Sequence, residues 1–158
     1  MADIAIPTHV IARTLVFNPK GQVLLLVRSA DDRFRPGGFD VPGGKVDDGE
    51  DYLAAAIRET NEEVGLELDR LHVHICCATT EVGYHNRLQH DINYVCLGFV
   101  YQLAEDEDGA IQLSHEHSAF AWYAIDEAIG LSKNTTHGIF LEHLKTHNLF
   151  SDYWRQVN

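Results

Sequence analysis

Three carboxylates, Glu59, Glu62 and Glu63, fall within five positions of the stretch RETNEEVGL, residues 58–66, with Arg58 beside them. On an α-helix, residues three and four apart are neighbours, so this spacing gathers all three acids on one face. Like charges placed so destabilise a helix by roughly a few tenths of a kcal/mol per pair. The rest of the chain gives no relief: 24 acidic against 12 basic residues leave a formal charge of -12. A divalent cation reverses the sign of the effect. Oxygen donors without histidine or cysteine favour a hard ion, Mg²⁺ or Mn²⁺. The competing reading is a solvated acidic face on a surface helix.

Carboxylates act together only if their helix is anchored. Leu53, Ile57, Thr60 and Val64 recur at i, i+4, i+7 and i+11 and form one stripe for burial, with Thr60 its only polar member. The three glutamates are expected to point away from it, into a cleft. The helix should run from about Glu50 to Val64, with Asp47 or Asp48 as its cap and Gly65 ending it in a left-handed conformation. Upstream, residues 29–49 read as loop, punctuated by glycines and prolines, with FDV (39–41) as a short strand. Residues 9–18 and 22–28 read as a hairpin about the turn NPKG. Further strands are expected at 72–82, 91–103 and 118–125, and a turn at DEDG (106–109). A short helix capped by Asp126 and a helix over 136–150 complete the chain. This order predicts an α/β (α+β) architecture, a mixed β-sheet sandwiched between α-helices.

Length and composition bound the alternatives. The chain of 158 residues shows no repeat, linker or low-complexity tract and reads as a single domain over 1–158. No basic run suits a nucleic-acid polymer, and no apolar run suits a membrane. The first residues lack the pattern of a secretion signal. Cys76, Cys77 and Cys96 form no disulfide framework and read as buried structural thiols in a reducing cytoplasm.

The segment before the helix, PGGKVDDGE (42–50), supplies context. Gly44 is followed after five residues by Glu50, then after seven by Arg58 and Glu59, then by Glu62, Glu63, Gly65 and Leu66. This resembles the Nudix hydrolase signature G-x5-E-x7-R-E-U-x-E-E-x-G-U, where U is a bulky aliphatic residue. Thr60 at the first U is the one departure, and its methyl group suits the stripe. The resemblance implies the Nudix fold and metal-dependent hydrolysis of a nucleoside diphosphate linked to a group X. It also implies roles. Glu59, Glu62 and Glu63 bind the metals, joined by the Gly44 carbonyl. Arg58 pairs with box carboxylates, Glu50 among them, and Glu50 is itself an occasional ligand. Outside the box, Glu116 in HEHSAFAWY (115–123) resembles a loop acid used as ligand or general base. His115 and His117 beside it read as loop histidines. In this chemistry the metals neutralise phosphate oxygens, acidify a water and align it, and Glu62, Glu63 or Glu116 takes the proton. Homodimers are frequent in the family.

The group X is set outside the box. Arg28, Arg33, Arg35 and Lys45 are candidates for phosphate contacts, and Phe39, Tyr84, Tyr94 and Trp122 for base stacking. CATTEVGYHN, after the box, lacks the motifs of subgroups that act on dinucleotide cofactors or ADP-ribose. A coenzyme A subgroup resembles residues 24–44 at Leu24, Leu25, Arg28, Ser29, Arg33, Gly37 and Pro42 to Gly44, but departs at Leu26 and Val41. A nucleoside triphosphate or small nucleotide derivative is the expected substrate. Coenzyme A and a non-catalytic nucleotide-binding module are the alternatives.

Overall fold

The computed structural model describes residues 6–149 except 86 and 105–109. Its strands are β1 (Thr8–Phe17), β2 (Val23–Arg28), β3 (Phe39–Asp40), β4 (Gly43–Lys45), β5 (His74–His85), β6 (His90–Gln102) and β7 (His117–Tyr123). The helices are α1 (Tyr52–Val64), α2 (Ile125–Leu131) and α3 (Thr136–Thr146), with one turn of 3-10 helix at Arg70–His72. The mixed sheet runs β3-β2-β1-β6-β5, with β4 added to β1 and β7 to β2. The expected architecture is therefore present. The turn foreseen at 106–109 and the last residue of the helix foreseen to 150 lie outside the described residues.

Alternation along β2 shows how both faces are covered. Leu24 and Leu26 pack on the α1 side with Ala12, Val16, Ala55, Ala56 and Val64. Val23 and Leu25 pack on the other side with Leu15, Phe140, Leu141 and Leu144 of the α3 layer. A strand buried on both faces reads as an unbroken apolar run, which is why VLLLVR carries no polar alternation.

One feature of the sheet makes room for chemistry. β1 pairs with β2 only at Phe17 and Val23. Nearer its start, at Ile11, Ala12 and Arg13, the same edge pairs with β4 instead. The sheet forks there, and the Thr14 amide donates to the Pro42 carbonyl at 2.8 Å in the fork. From sequence, residues 43–45 read as part of a loop. Three residues containing two glycines have no β-propensity of their own, so pairing with β1 decides their state.

Candidate active site

Asp51 caps α1, accepting from the amides of Leu53 (3.1 Å) and Ala54 (3.0 Å). The helix thus starts at Tyr52, and neither Asp47 nor Asp48 is its cap. Gly65 ends it at φ 73°, and its amide donates to the Asn61 carbonyl at 2.8 Å. Thr60 is fully buried, and its hydroxyl donates to the Ala56 carbonyl at 2.7 Å. A threonine at an aliphatic position is thereby satisfied within the helix. Leu53 and Ile57 are only half-buried, whereas Ala55, Ala56 and Glu63 are buried. The inward face is rotated toward Glu63. The expectation that all three glutamates face away from the core holds for Glu62, which is exposed, and fails for Glu63.

The reason lies in β4. The Glu63 carboxylate accepts from the Gly43 amide at 3.0 Å. Glu59 lies over Gly44 so closely that a Cβ there would sit 2.5 Å from its carboxyl carbon. Behind Gly43 the Ala12 carbonyl leaves no room for a Cβ either. The two glycines let β4 pass between β1 and a pair of acids. Burial, reinforced by the charges of Asp40, Glu116 and Glu59, pushes the Glu63 carboxyl up to about 8 against one opposing bond from Gly43. Burial also raises Glu59, with Arg58 opposing.

Arg58 binds the acids together. Its Nε and Nη2 hold both oxygens of Glu50 at 2.9 and 3.0 Å. Its Nη1 reaches Glu59 at 2.8 Å and Glu62 at 3.1 Å. Nη2 also donates to the Lys45 carbonyl at 3.3 Å, tying α1 to β4. The bond from Arg58, helped by the Asp47 amide, holds Glu50 down at about 2.

A cleft of about 390 Å³ opens between residues 28–34 and residues 115–116. Glu116 stands on its wall, and its charge reaches both Glu59 and Glu63. The wall is laced together: the Ser29 amide donates to the Glu116 carbonyl at 2.9 Å, and the Ser29 hydroxyl to that of His115 at 2.8 Å. Beneath the cluster lies Asp40, 2% exposed. It accepts from Arg13 at 2.6 Å, from Arg28, and from the Val41 amide, with His137 Nδ1 3.5 Å away. Burial alone would raise its pKa, but the Arg13 and Arg28 guanidiniums override it, so Asp40 stays ionised.

This donor set fits a hard divalent cation. It is made of carboxylates and backbone carbonyls, and the raised Glu63 marks a buried carboxyl that ionises only at a cost, which a bound cation would offset. Among the described residues no three His, Cys, Asp or Glu side chains already enclose one point. Arg58 engages one oxygen each of Glu59 and Glu62.

A NUDIX domain model matches residues 7–144. The chain belongs to the NUDIX family. The asymmetrical bis(5'-nucleosyl)-tetraphosphatase of Rattus norvegicus is 38% identical over 94 residues, a match covering 58% of this chain and 59% of the relative. That of Caenorhabditis elegans is 31% identical over 122 residues, 77% of this chain and 82% of the relative. The chain thus spans under two thirds of the rat relative's length. Among solved structures, a MutT protein from Methanosarcina mazei Go1 superposes with TM-score 0.70 at 24% identity, covering 92% of this chain and 99% of that one. A C. elegans Ap4A hydrolase binary complex gives TM-score 0.64 at 25% identity, covering 89% and 98%.

The Nudix fold gathers Gly44, Glu50, Arg58, Glu59, Glu62 and Glu63 at the β4–α1 junction, and brings Glu116 within electrostatic reach. Other candidates fare differently. Lys45 is exposed, and it is its carbonyl that meets Arg58. Arg33 is exposed on the cleft. Arg28, expected among the phosphate contacts, is instead engaged by Asp32 at 3.0 Å and by Asp40. Phe39, expected at a stacking surface, packs on the α3-side core with its ring edge to Tyr123. Tyr94 packs there too, and Trp122 on the α1 side, while Tyr84 is exposed. His117 is no loop residue: it opens β7, buried, with neither ring nitrogen hydrogen-bonded.

Two residues escaped the sequence reading. Phe34 lines the cleft at 74% exposure, on a turn where Asp32 accepts the amides of Phe34 and Arg35. An aromatic between two arginines in a polar loop was the available signal. Asp40 had none, because its partners Arg13, Arg28 and His137 come from three separate elements.

Proposed function

We propose that this Nudix protein is a divalent-cation-dependent pyrophosphohydrolase, one domain over 1–158, whose substrate is a dinucleoside polyphosphate. The observation that carries the reaction is the Arg58-bound carboxylate cluster packed on Gly43 and Gly44. Glu59, Glu63 and the Gly44 carbonyl would hold Mg²⁺ or Mn²⁺, with Glu62 and Glu116 available at the margin and Glu50 engaged by Arg58. The cation would neutralise the phosphate oxygens and acidify the attacking water. Arg58 fixes the carboxylates before substrate arrives, so little reorganisation remains for the reaction itself. Glu62, open to solvent, or Glu116, on the cleft wall, would take the water's proton. Asp40, held ionised behind Glu63, keeps the cluster's demand for a cation high.

The substrate class rests on the relatives named for dinucleoside tetraphosphates, one of them matched over most of its length. It narrows the expectation from sequence, a nucleoside triphosphate or small nucleotide derivative. Phe34 and Arg33 suit it, an aromatic face for a base and a cation for the chain of phosphates. The net charge of -12 opposes a nucleic-acid polymer and sets the same demand for cations. We infer a cytoplasmic setting, where such nucleotides and free thiols coexist. The test is chromatographic separation of nucleotide products from dinucleoside tetraphosphate, nucleoside triphosphates and coenzyme A, with Mg²⁺ or Mn²⁺ and with EDTA. EDTA-sensitive cleavage of the first, weakened mainly in KM by Phe34→Ala, supports the proposal. Binding without turnover would favour a nucleotide-binding module.

A further inference from the structure

Cys76 and Cys77 are consecutive in a strand, where neighbouring side chains ordinarily leave on opposite faces. Here they share one. The ladder between β5 and β6 pairs Ile75 with Phe99 and Cys77 with Gly98, so Cys76 is the extra residue of a bulge. Both side chains pack against the α3-side cluster, and their sulfurs lie 3.5 Å apart. Cys76 Sγ also donates to the Gly98 carbonyl at 3.2 Å. Gly98 is pinned in turn by Phe140, whose ring would stand 2.8 Å from any Cβ placed there. Both cysteines are half-buried, unlike Cys96, which is sealed in the core. The Cys76 S–H is committed to the Gly98 carbonyl, which leaves Cys77 the freer sulfur for a first attack.

We propose that Cys76 and Cys77 form a vicinal dithiol that closes reversibly to a disulfide by exchange with a low-molecular-weight disulfide. The Cys77 thiolate attacks one sulfur of the small disulfide, forms a mixed disulfide and expels one small thiolate. Cys76 sulfur then attacks the Cys77 sulfur, and its proton passes to the second departing thiolate. The cysteine pair gives up two electrons and the small disulfide takes them. The product is strained, because adjacent Cα atoms across a trans peptide are about 3.8 Å apart, below the usual disulfide range of roughly 4.4–6.8 Å. Strained disulfides are the labile ones, so the ring reopens readily when thiols predominate. Closure also removes the S–H donor from the Gly98 carbonyl, directly beneath Phe140 of α3.

The test uses the full chain, reduced and then incubated with oxidised glutathione. Remaining thiols are alkylated and mapped by mass spectrometry. The expected peptide has lost two hydrogens across Cys76 and Cys77, with Cys96 still free to alkylate after unfolding. Cys76→Ser should stop at a lasting glutathione adduct on Cys77. In a second measurement, phenylarsine oxide should bind the reduced protein and be removed by a dithiol but not by a monothiol. Both Cys76→Ser and Cys77→Ser should lose that capture. A lasting glutathione adduct on the unmutated protein, a bridge to Cys96, or absence of arsenoxide capture would overturn the proposal. If the serine variants do not fold, the unmutated protein decides it through the first map and the capture.

Discussion

Replacing Glu63 by glutamine should stabilise the metal-free protein, and by an amount that grows with pH. Glu63 holds its proton up to about 8 in the folded state, against 4.5 for a free glutamate. Its contribution to stability is therefore fully present below pH 4.5 and is lost as pH rises through 8. At about 1.36 kcal/mol per pH unit, a gap of 3.5 units gives an upper bound of about 5 kcal/mol. Relaxation and counterions reduce it, and we expect ~2–5 kcal/mol above pH 8. Glutamine keeps the acceptor for the Gly43 amide but does not titrate. Urea unfolding in EDTA at pH 5, 6, 7 and 8 is the assay. Glu63→Gln should match the unmutated protein near pH 4.5 and exceed it progressively above. Mg²⁺ at pH 8 should close the gap by stabilising the unmutated protein alone. Parallel pH dependence in the two proteins would refute both the strained carboxylate and its link to a cation.

Other perturbations probe the same scaffold. Gly44→Ala places a methyl group against the Glu59 carboxylate; since that is the free end of a flexible chain, stability should change by less than about 1 kcal/mol. Turnover should fall about 100-fold because the displaced carboxylate sits in the site, a contrast that thermal unfolding and initial rates together reveal. Arg58→Lys keeps the charge but loses the two-pronged hold on Glu50, and kcat should drop about 10- to 100-fold with KM little changed. His137 is buried and lowered to about 4 from 6.5, so it stays neutral when folded and costs stability as pH falls from 6.5 to 4, up to ~3 kcal/mol. Glu63 works in the opposite sense over most of that window. The loss should thus emerge in a Glu63→Gln background and vanish on adding His137→Asn, as read by urea unfolding between pH 4 and 7.

Much of this site was legible because its chemistry is local in sequence. Gly44 through Leu66 is one continuous stretch, and helical periodicity alone brings Glu59, Glu62 and Glu63 together. Periodicity could not say that Glu63 is buried, since that depends on β4 crossing beneath it. β4 exists only because β1 offers it an edge. The helix start moved from Asp47 or Asp48 to Asp51 because four acids compete over five positions, and capping geometry, not composition, selects among them. Asp126 was misread in a similar way: α2 begins at Ile125, which puts Asp126 in the first turn instead of at the cap. Phe39 was a stacking candidate because it sits in a glycine-rich segment, yet strand pairing with Val27 turns it toward the core. Arg28 looked available because the carboxylate that claims it, Asp40, lies twelve positions away on another strand.

The parallel pairing of β1 with β6 also governs how the protein is made. Thr8 lies opposite Asn93 and Phe17 opposite Gln102, so each contact closes a loop of about 85 positions. Such closures are slow, since the entropy of the intervening chain is lost before the contact returns anything. The β5–β6 hairpin, whose partners meet at His85 and His90, has no such delay. On the ribosome, β1 emerges before its partner β6 and waits, with apolar residues on both faces, until the intervening chain has followed. β4 rests on β1, and Glu59 and Glu63 rest on β4. These acids therefore come together late in synthesis, and a nascent chain has no acidic pocket in which to trap cations before its sheet is closed.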